Sequence, residues 1–254
     1  MIDIHCHIIY DTDDGAGDLR ETMEMCEIAE QDGISTIIAT PHYIHGEGNN
    51  EKVSEKIELL NEELKRNSRA LRILQGNEIY LARNSYEHLL NNECFTLNNS
   101  RYALVEFSMT DVPDFAFDAL YNMQVKGYVP IIAHPERNYR ILHQPNLVYD
   151  FMKEGCLVQI NSTSLTGLSG KEIKSFSETL IKHNMVHFIA SDAHSVRNRK
   201  PVLSKALDLA DFIGGDGVGQ RLICKNPKAL IENKIIKAGE PIKFKTRKRF
   251  FDIF

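Results

Sequence analysis

The first 42 residues, MIDIHCHIIYDTDDGAGDLRETMEMCEIAEQDGISTIIATPH, hold one strand-helix-strand unit and decide how the rest of the chain is read. Ile2 to His5 is a short apolar run of strand character that ends in His5-Cys6-His7. Asp18 and Glu21 then make a D-x-x-E capping pair, Leu19, Met23, Cys26 and Ala29 recur on one helical face, and Gly33 ends the helix. Ser35 to Thr40 is a second strand, closed by Pro41-His42. Links this short predict parallel strands joined by helical crossovers. Each strand is followed by histidine.

The unit recurs along the chain. Further strands are expected at Ile73 to Glu78, Tyr102 to Phe107, Val129 to Ala133, Leu157 to Asn161 and His187 to Ser191. Helices are expected at about 50–66, 114–125, 145–154, 170–183, 201–211 and 227–233. No Pro/Gly/Ser-rich linker, low-complexity tract or internal repeat divides them, so residues 1–254 read as one domain. The expected fold is α/β, a single distorted (β/α)7 barrel, for which 254 residues with 43% hydrophobic content suffice.

Composition excludes several classes. Lys and Arg number 30 against 35 Asp and Glu, and the net charge of −5 argues against nucleic-acid binding over the body of the protein. The start of the chain lacks a signal-peptide pattern and no later apolar run is long enough for a transmembrane segment, so a soluble, cytoplasmic protein is expected. Five scattered cysteines form no close pair and read as free thiols.

The informative pattern is where potential metal ligands fall. His5 and His7 leave the first expected strand, His42 follows the second, Glu78 ends the third and Glu106 lies at the end of the fourth. His134 follows the fifth, and Asp192 and His194 follow the seventh. In a parallel α/β barrel these C-terminal strand ends converge on the rim where sites are built. So many imidazoles and carboxylates on one rim would be a costly concentration of desolvated polar groups unless something bound them.

His5-Cys6-His7, Asp13-Asp14-Gly15, Thr40-Pro41-His42, Gly76-Asn77-Glu78, Val105-Glu106-Phe107, His134-Pro135-Glu136-Arg137-Asn138 and Ser191-Asp192-Ala193-His194 together resemble the polymerase-and-histidinol-phosphatase (PHP) superfamily. More closely, they resemble the manganese-dependent bacterial protein tyrosine phosphatases that accompany capsule and exopolysaccharide tyrosine kinases. The resemblance covers nearly the whole chain, in order. It implies the seven-stranded barrel and a three-metal cluster. His5, His7, Glu78 and Asp192 would hold one metal, a bridging Glu78 with Glu106 and His134 a second, and Asp14, His42 and His194 a third. It also implies that Arg137 and Arg199 bind substrate or stabilise the leaving group, with Arg197 a weaker candidate. Manganese is the family's metal; the donor chemistry leaves iron, zinc, cobalt and magnesium open. The implied substrate is phosphotyrosine in the flexible C-terminal cluster of a partner kinase, hydrolysed by metal-activated hydroxide. Histidinol phosphate or another small phosphomonoester is the alternative.

Competing chemistries fail on the letters. A cysteine phosphatase needs an arginine six residues after its nucleophile, and Thr12, Asp32, Ser100, Ser162 and Leu230 stand there. Asp11 to Gly15 mimics an aspartate-nucleophile motif and a calcium loop, but Gly15 breaks both. Asp11 and Asp13 read as solvated loop residues, and Cys6 as a packing residue facing away from its neighbours. His45, His88, His143, His183 and His187 read as surface or capping residues. Residues 243–254 carry five basic residues and one acidic residue with Phe244, Phe250, Phe251 and Phe254. This tail reads either as an element docked on the barrel or as a peripheral contact to an anionic membrane or an acidic, phosphorylated kinase tail.

Overall fold

A computed structural model describes residues 1–45, 50–237 and 239–245. Among them lie nine strands, every ladder parallel: β1 Ile2–Cys6, β2 Thr36–Ala39, β3 His42–Tyr43, β4 Arg72–Gln75, β5 Glu78–Tyr80, β6 Tyr102–Glu106, β7 Val129–Ala133, β8 Leu157–Asn161 and β9 Phe188–Ala190. They form a three-stranded sheet, β1-β2-β4, and a six-stranded sheet, β3-β5-β6-β7-β8-β9.

The seven continuous strands expected from sequence are therefore nine pieces, and the ladder does not close into a barrel. Two interruptions account for this. Between β2 and β3, Pro41 has no N–H to give the ladder, and the Thr40 hydroxyl is used instead to accept from Cys6 N–H at 3.0 Å. Between β4 and β5, a Cβ at Gly76 would lie 2.8 Å from Leu97 and 2.9 Å from Ile38, so the backbone approaches its neighbours as only glycine can. Asn77 satisfies the broken backbone there: its amide donates to Pro41 O at 3.0 Å and its carbonyl accepts from Phe95 N–H at 2.8 Å. The break lets Glu78 start a fresh strand beside His42, with which it is paired in register.

Strand alternation separates two cores. Ile4, Ile38, Leu74, Leu104, Ile131, Leu157 and Phe188, from β1, β2, β4, β6, β7, β8 and β9, pack together on one side. Ile37, Ile73, Val105, Ile132, Val158 and Ile189 face the helices. Those helices follow the expected pattern: Leu19–Gln31, Asn50–Arg66, Ala116–Val125, Asn146–Lys153, Lys171–Lys182, Ser204–Gly214 and Asn226–Ile231. Asp18 caps the first by accepting from Glu21 N–H at 2.8 Å, while the Glu21 carboxylate reaches back to Gly17 N–H at 3.0 Å. Short helices at Ser85–Leu90, Tyr139–His143 and Ser162–Thr166 were not expected.

Of the tail, Lys243 to Lys245 are described and dock on the body. Phe244 exchanges backbone hydrogen bonds with the Asn146 side chain at 2.9 and 3.2 Å and stacks on His183 at 4.3 Å. Arg247, Lys248, Arg249, Phe250, Phe251 and Phe254 lie outside the described residues.

Of the histidines expected in surface or capping roles, two are buried. His88 is buried and contacts Glu93 at 2.5 Å. His187, only 3% exposed, accepts from Val158 N–H through Nδ1 at 3.0 Å, and burial together with Arg221 pushes its pKa down to about 4. An unfolded histidine takes up its proton near pH 6.5, so the folded state loses stability as pH falls from there toward 4, by up to about 1.4 kcal/mol per pH unit. His187→Asn, which keeps an acceptor in place of Nδ1, should flatten this slope when denaturant unfolding is compared at pH 7 and pH 5. An unchanged slope would show that other groups carry the acid sensitivity.

Candidate metal centre

The strand ends bring eight of the nine expected ligands into contact around Glu78, with Asp14 joining through His42 and His194. Glu78, 1% exposed, lies with Oε2 3.1 Å from His5 Nε2, 3.2 Å from His7 Nε2 and 3.2 Å from His42 Nδ1. Its Oε1 is 2.7 Å from His134 Nε2. Glu106 Oε1 is 3.0 Å from His42 Nδ1. Asp192 Oδ1 is 3.3 Å from His5 Nε2 and 3.6 Å from both His7 Nε2 and His194 Nδ1. Asp14, whose side chain is 61% exposed, closes the outer side at 3.4 Å from His42 Nε2 and 3.2 Å from His194 Nε2.

These donors fall into three overlapping groups with ligand atoms within 4.8 Å of one another: His5, His7, Glu78 and Asp192; His7, Asp14, His42 and His194; His42, Glu78 and Glu106. The partition differs in detail from the one expected. His7 and His42 each belong to two groups, and His134 touches Glu78 without joining a group.

The residues present fit divalent cations on two counts. Asp192 Oδ1 is buried and makes no hydrogen bond, a state that a carboxylate oxygen tolerates poorly unless it binds an ion. The nitrogens His5 Nε2 and His7 Nε2 lie 3.2 Å apart. Ligands about 2.1 Å from one tetrahedral ion sit roughly 3.4 Å from each other. Electrostatics agree. Burial opposes a charge on His5 and His7, yet the surrounding carboxylates hold their pKa values up at about 9 and about 10. Burial likewise opposes a charge on Glu78, and His5 and His134 overcome it, keeping Glu78 well below the usual carboxylate range. The carboxylates thus demand positive charge at this spot, which a cation supplies while releasing the imidazole protons.

Around the ligands runs a layer of which the sequence disclosed only Arg137 and Arg199. Asp13, read as solvated, instead turns its carboxylate, 8% exposed, against His7, with Oδ2 2.6 Å from Nδ1, and accepts from His42 N–H at 3.0 Å and Gly15 N–H at 3.0 Å. It orients His7 so that Nε2 faces Glu78, the role that carboxylates play behind metal-bound histidines. Gln159 does the same for His5 at 2.9 Å, donates to Asn161 at 2.8 Å, and Asn161 donates to Asp192 Oδ2 at 2.6 Å. Asp3 accepts from the His5 and Ser191 backbone N–H groups and the Ser191 hydroxyl, tying β1 to the end of β9. Arg137 Nη1 and Arg199 Nη2 both reach Asp192 Oδ2, at 2.8 and 2.6 Å. Cys6 is buried in the outer core, as its place between two ligands implied.

His134 and Asp192 hold positive φ, +30° and +52°, a strained state for residues with a Cβ. The turns aim both side chains back over the strand ends. Asp192 N–H donates to His5 O and His7 N–H to Ala193 O, each at 2.8 Å, which fixes the turn against β1.

Known proteins share this architecture. Residues 1–232 match the family described as capsular polysaccharide synthesis, CpsB/CapC. The tyrosine-protein phosphatase YwqE of Bacillus subtilis is 40% identical over 252 residues, covering 98% of this chain and 99% of that protein. The putative tyrosine-protein phosphatase CapC of Staphylococcus aureus is 35% identical with full coverage of both chains. A crystal structure from the pair YwqE of Bacillus subtilis and CpsB of Streptococcus pneumoniae, described as metal-dependent tyrosine phosphatases, superposes with a TM-score of 0.93 at 40% identity, covering 97% of this chain and 100% of that one. Histidinol phosphate phosphatase of Lactococcus lactis shares the fold at a TM-score of 0.53, 17% identity, and 84% and 93% coverage. With a family match over most of its length and relatives at this identity, the chain belongs to the CpsB/CapC family of capsular polysaccharide synthesis proteins.

Proposed function

We propose that this protein is a metal-dependent tyrosine-protein phosphatase acting on phosphotyrosine of a capsule-type tyrosine kinase. The observation that carries the reading is the triple, overlapping donor set sharing His7, His42 and Glu78 at the strand ends. Manganese is the proposed metal, with His5, His7, Glu78 and Asp192 on one ion, Glu78, Glu106 and His134 on a second, and Asp14, His42 and His194 on a third. The two sheets are read as seven staves of a distorted barrel, a reading supported by the inner core drawn from seven strands. The proposed setting is the cytoplasm, beside a kinase whose flexible tail presents the phosphotyrosine; among the described residues no helix is long and apolar enough to cross a membrane.

When bound, the ions supply Lewis acidity that activates water and neutralises charge on the phosphoryl oxygens. The chain's own residues set the geometry. Asp13 and Gln159 fix the ring orientations of His7 and His5, and Asn161 holds one oxygen of Asp192 so that the other faces the cluster. Arg137 and Arg199 are partly exposed at the rim and turn guanidinium groups toward Asp192, positioned to bind a phosphoryl oxygen or the leaving phenolate. Guanidinium stays charged and is a poor proton donor, which suits a phenol of pKa about 10 better than an alkyl alcohol.

The decisive experiment measures phosphate release from a phosphotyrosine peptide and from histidinol phosphate, with manganese and after exhaustive chelation. The peptide should turn over faster, and chelation should abolish the activity; equal activity without metal would sink the mechanism. Cys6→Ser should keep most of the rate, because the thiol lies in the core.

Glu78→Gln keeps the shape of the shared ligand and removes its charge, so it should lose bound metal together with rate. Full metal content by elemental analysis would show that Glu78 does not bridge. Asp13→Asn should weaken metal affinity or activity by roughly 10- to 100-fold through its hold on His7.

Arg199→Ala should retain metal and lose about 10²–10³ in turnover, the cost of one transition-state donor. Unchanged turnover would confine Arg199 to orienting Asp192.

A further inference from the structure

A cavity of about 450 Å³ is walled by residues of the segments 162–168 and 197–205, among them Ser162, Thr163, Leu168, Arg197, Lys200 and Lys205. Each wall includes a sequence neighbour of a residue that holds Asp192. Ser162 follows Asn161, which holds Asp192, and Asn198 and Lys200 flank Arg199, which also holds Asp192. Arg197, Lys200 and Lys205 are exposed and have no carboxylate within 4.0 Å among the described residues, whereas Arg137 and Arg199 are paired. Three uncompensated cations thus converge on one hollow of a protein whose net charge is −5. Thr163 accepts at its hydroxyl from Ser169 at 3.4 Å and keeps its own proton to donate. Leu168, 77% exposed, and Val202 give the hollow an apolar lip.

From these features the geometry points to a second, anion-reading subsite: the cavity binds an acidic or phosphorylated side chain flanking the tyrosine whose phosphate occupies the metal site. The inference rests on the phosphatase reading and deepens it. A chain entering the metal site through its phosphotyrosine must carry its neighbouring residues across the rim. On this side of the rim they meet cations and hydroxyl donors. Exposed charge pairs of this kind are individually weak and screened by salt, so the subsite would tune KM rather than chemistry.

The test compares three substrates on the metal-loaded full chain: phenyl phosphate, a phosphotyrosine peptide flanked by alanines, and the same peptide flanked by glutamates or by a second phosphotyrosine. The anionic flanks should lower KM roughly three- to tenfold with little change in kcat, and the advantage should shrink as salt rises. Lys200→Ala/Lys205→Ala should erase the advantage and leave phenyl phosphate turnover unchanged, while Lys200→Arg/Lys205→Arg should retain it. Equal KM for neutral and anionic flanks in the unmodified protein would overturn the subsite, as would a preference that survives the double alanine variant. Absence of turnover with all three substrates would overturn the phosphatase reading itself.

Discussion

Two buried carboxylates, Glu78 and Asp192, set the terms for this structure. Each is 1% exposed, and neither charge can be left uncompensated in so dry a place. Their compensation comes from imidazoles on β1, β3 and the turns after β7 and β9, and at Asp192 also from Arg137 and Arg199. Satisfying Glu78 alone draws together four separate points of the chain. The fold around it can be understood as a means of delivering those groups to one place and keeping them from rotating away.

Rigidity is supplied by polar groups rather than by more apolar packing. Asp13 behind His7, Gln159 behind His5 and Asn161 behind Asp192 each fix one face of a ligand so that the opposite face is presented. Backbone does the remainder. The turns at His134 and Asp192 accept positive φ, and the break at Gly76-Asn77 starts β5 at Glu78, in register with His42. In each case regular secondary structure yields where the site requires it.

Much of this was legible in the letters. The period of the apolar residues marked the helices, Asp18 marked the start of the first, and the ligands announced themselves by type and by position at strand ends. What stayed hidden has identifiable physical causes. Asp13 stands beside Asp14 in a polar loop, and only the fold shows which carboxylate turns inward. Gln159 and Asn161 lie in β8, where a polar residue in an apolar run carries no local sign of its partner. The interruption after Gln75 depends on Gly76 meeting Leu97 and Ile38, contacts that no local pattern encodes. His88 sits in a stretch that reads as polar and His187 at the start of a strand with no matched partner in the letters, and their burial comes from tertiary packing. The partition of donors between ions rests on distances of a few tenths of an ångström, finer than any spacing rule resolves.

The clasp between Asp3 and Ser191 joins residues 188 positions apart in sequence. During synthesis His5 and His7 leave the ribosome long before Asp192 and His194. The nascent chain therefore holds His5 and His7 for a long interval with Glu78 but without Asp192, the second carboxylate that contacts both. A closure of such long range is among the slower events of folding. Because the donor cluster takes form only when β1 and the end of β9 have met, its affinity for a cation is coupled to formation of the fold.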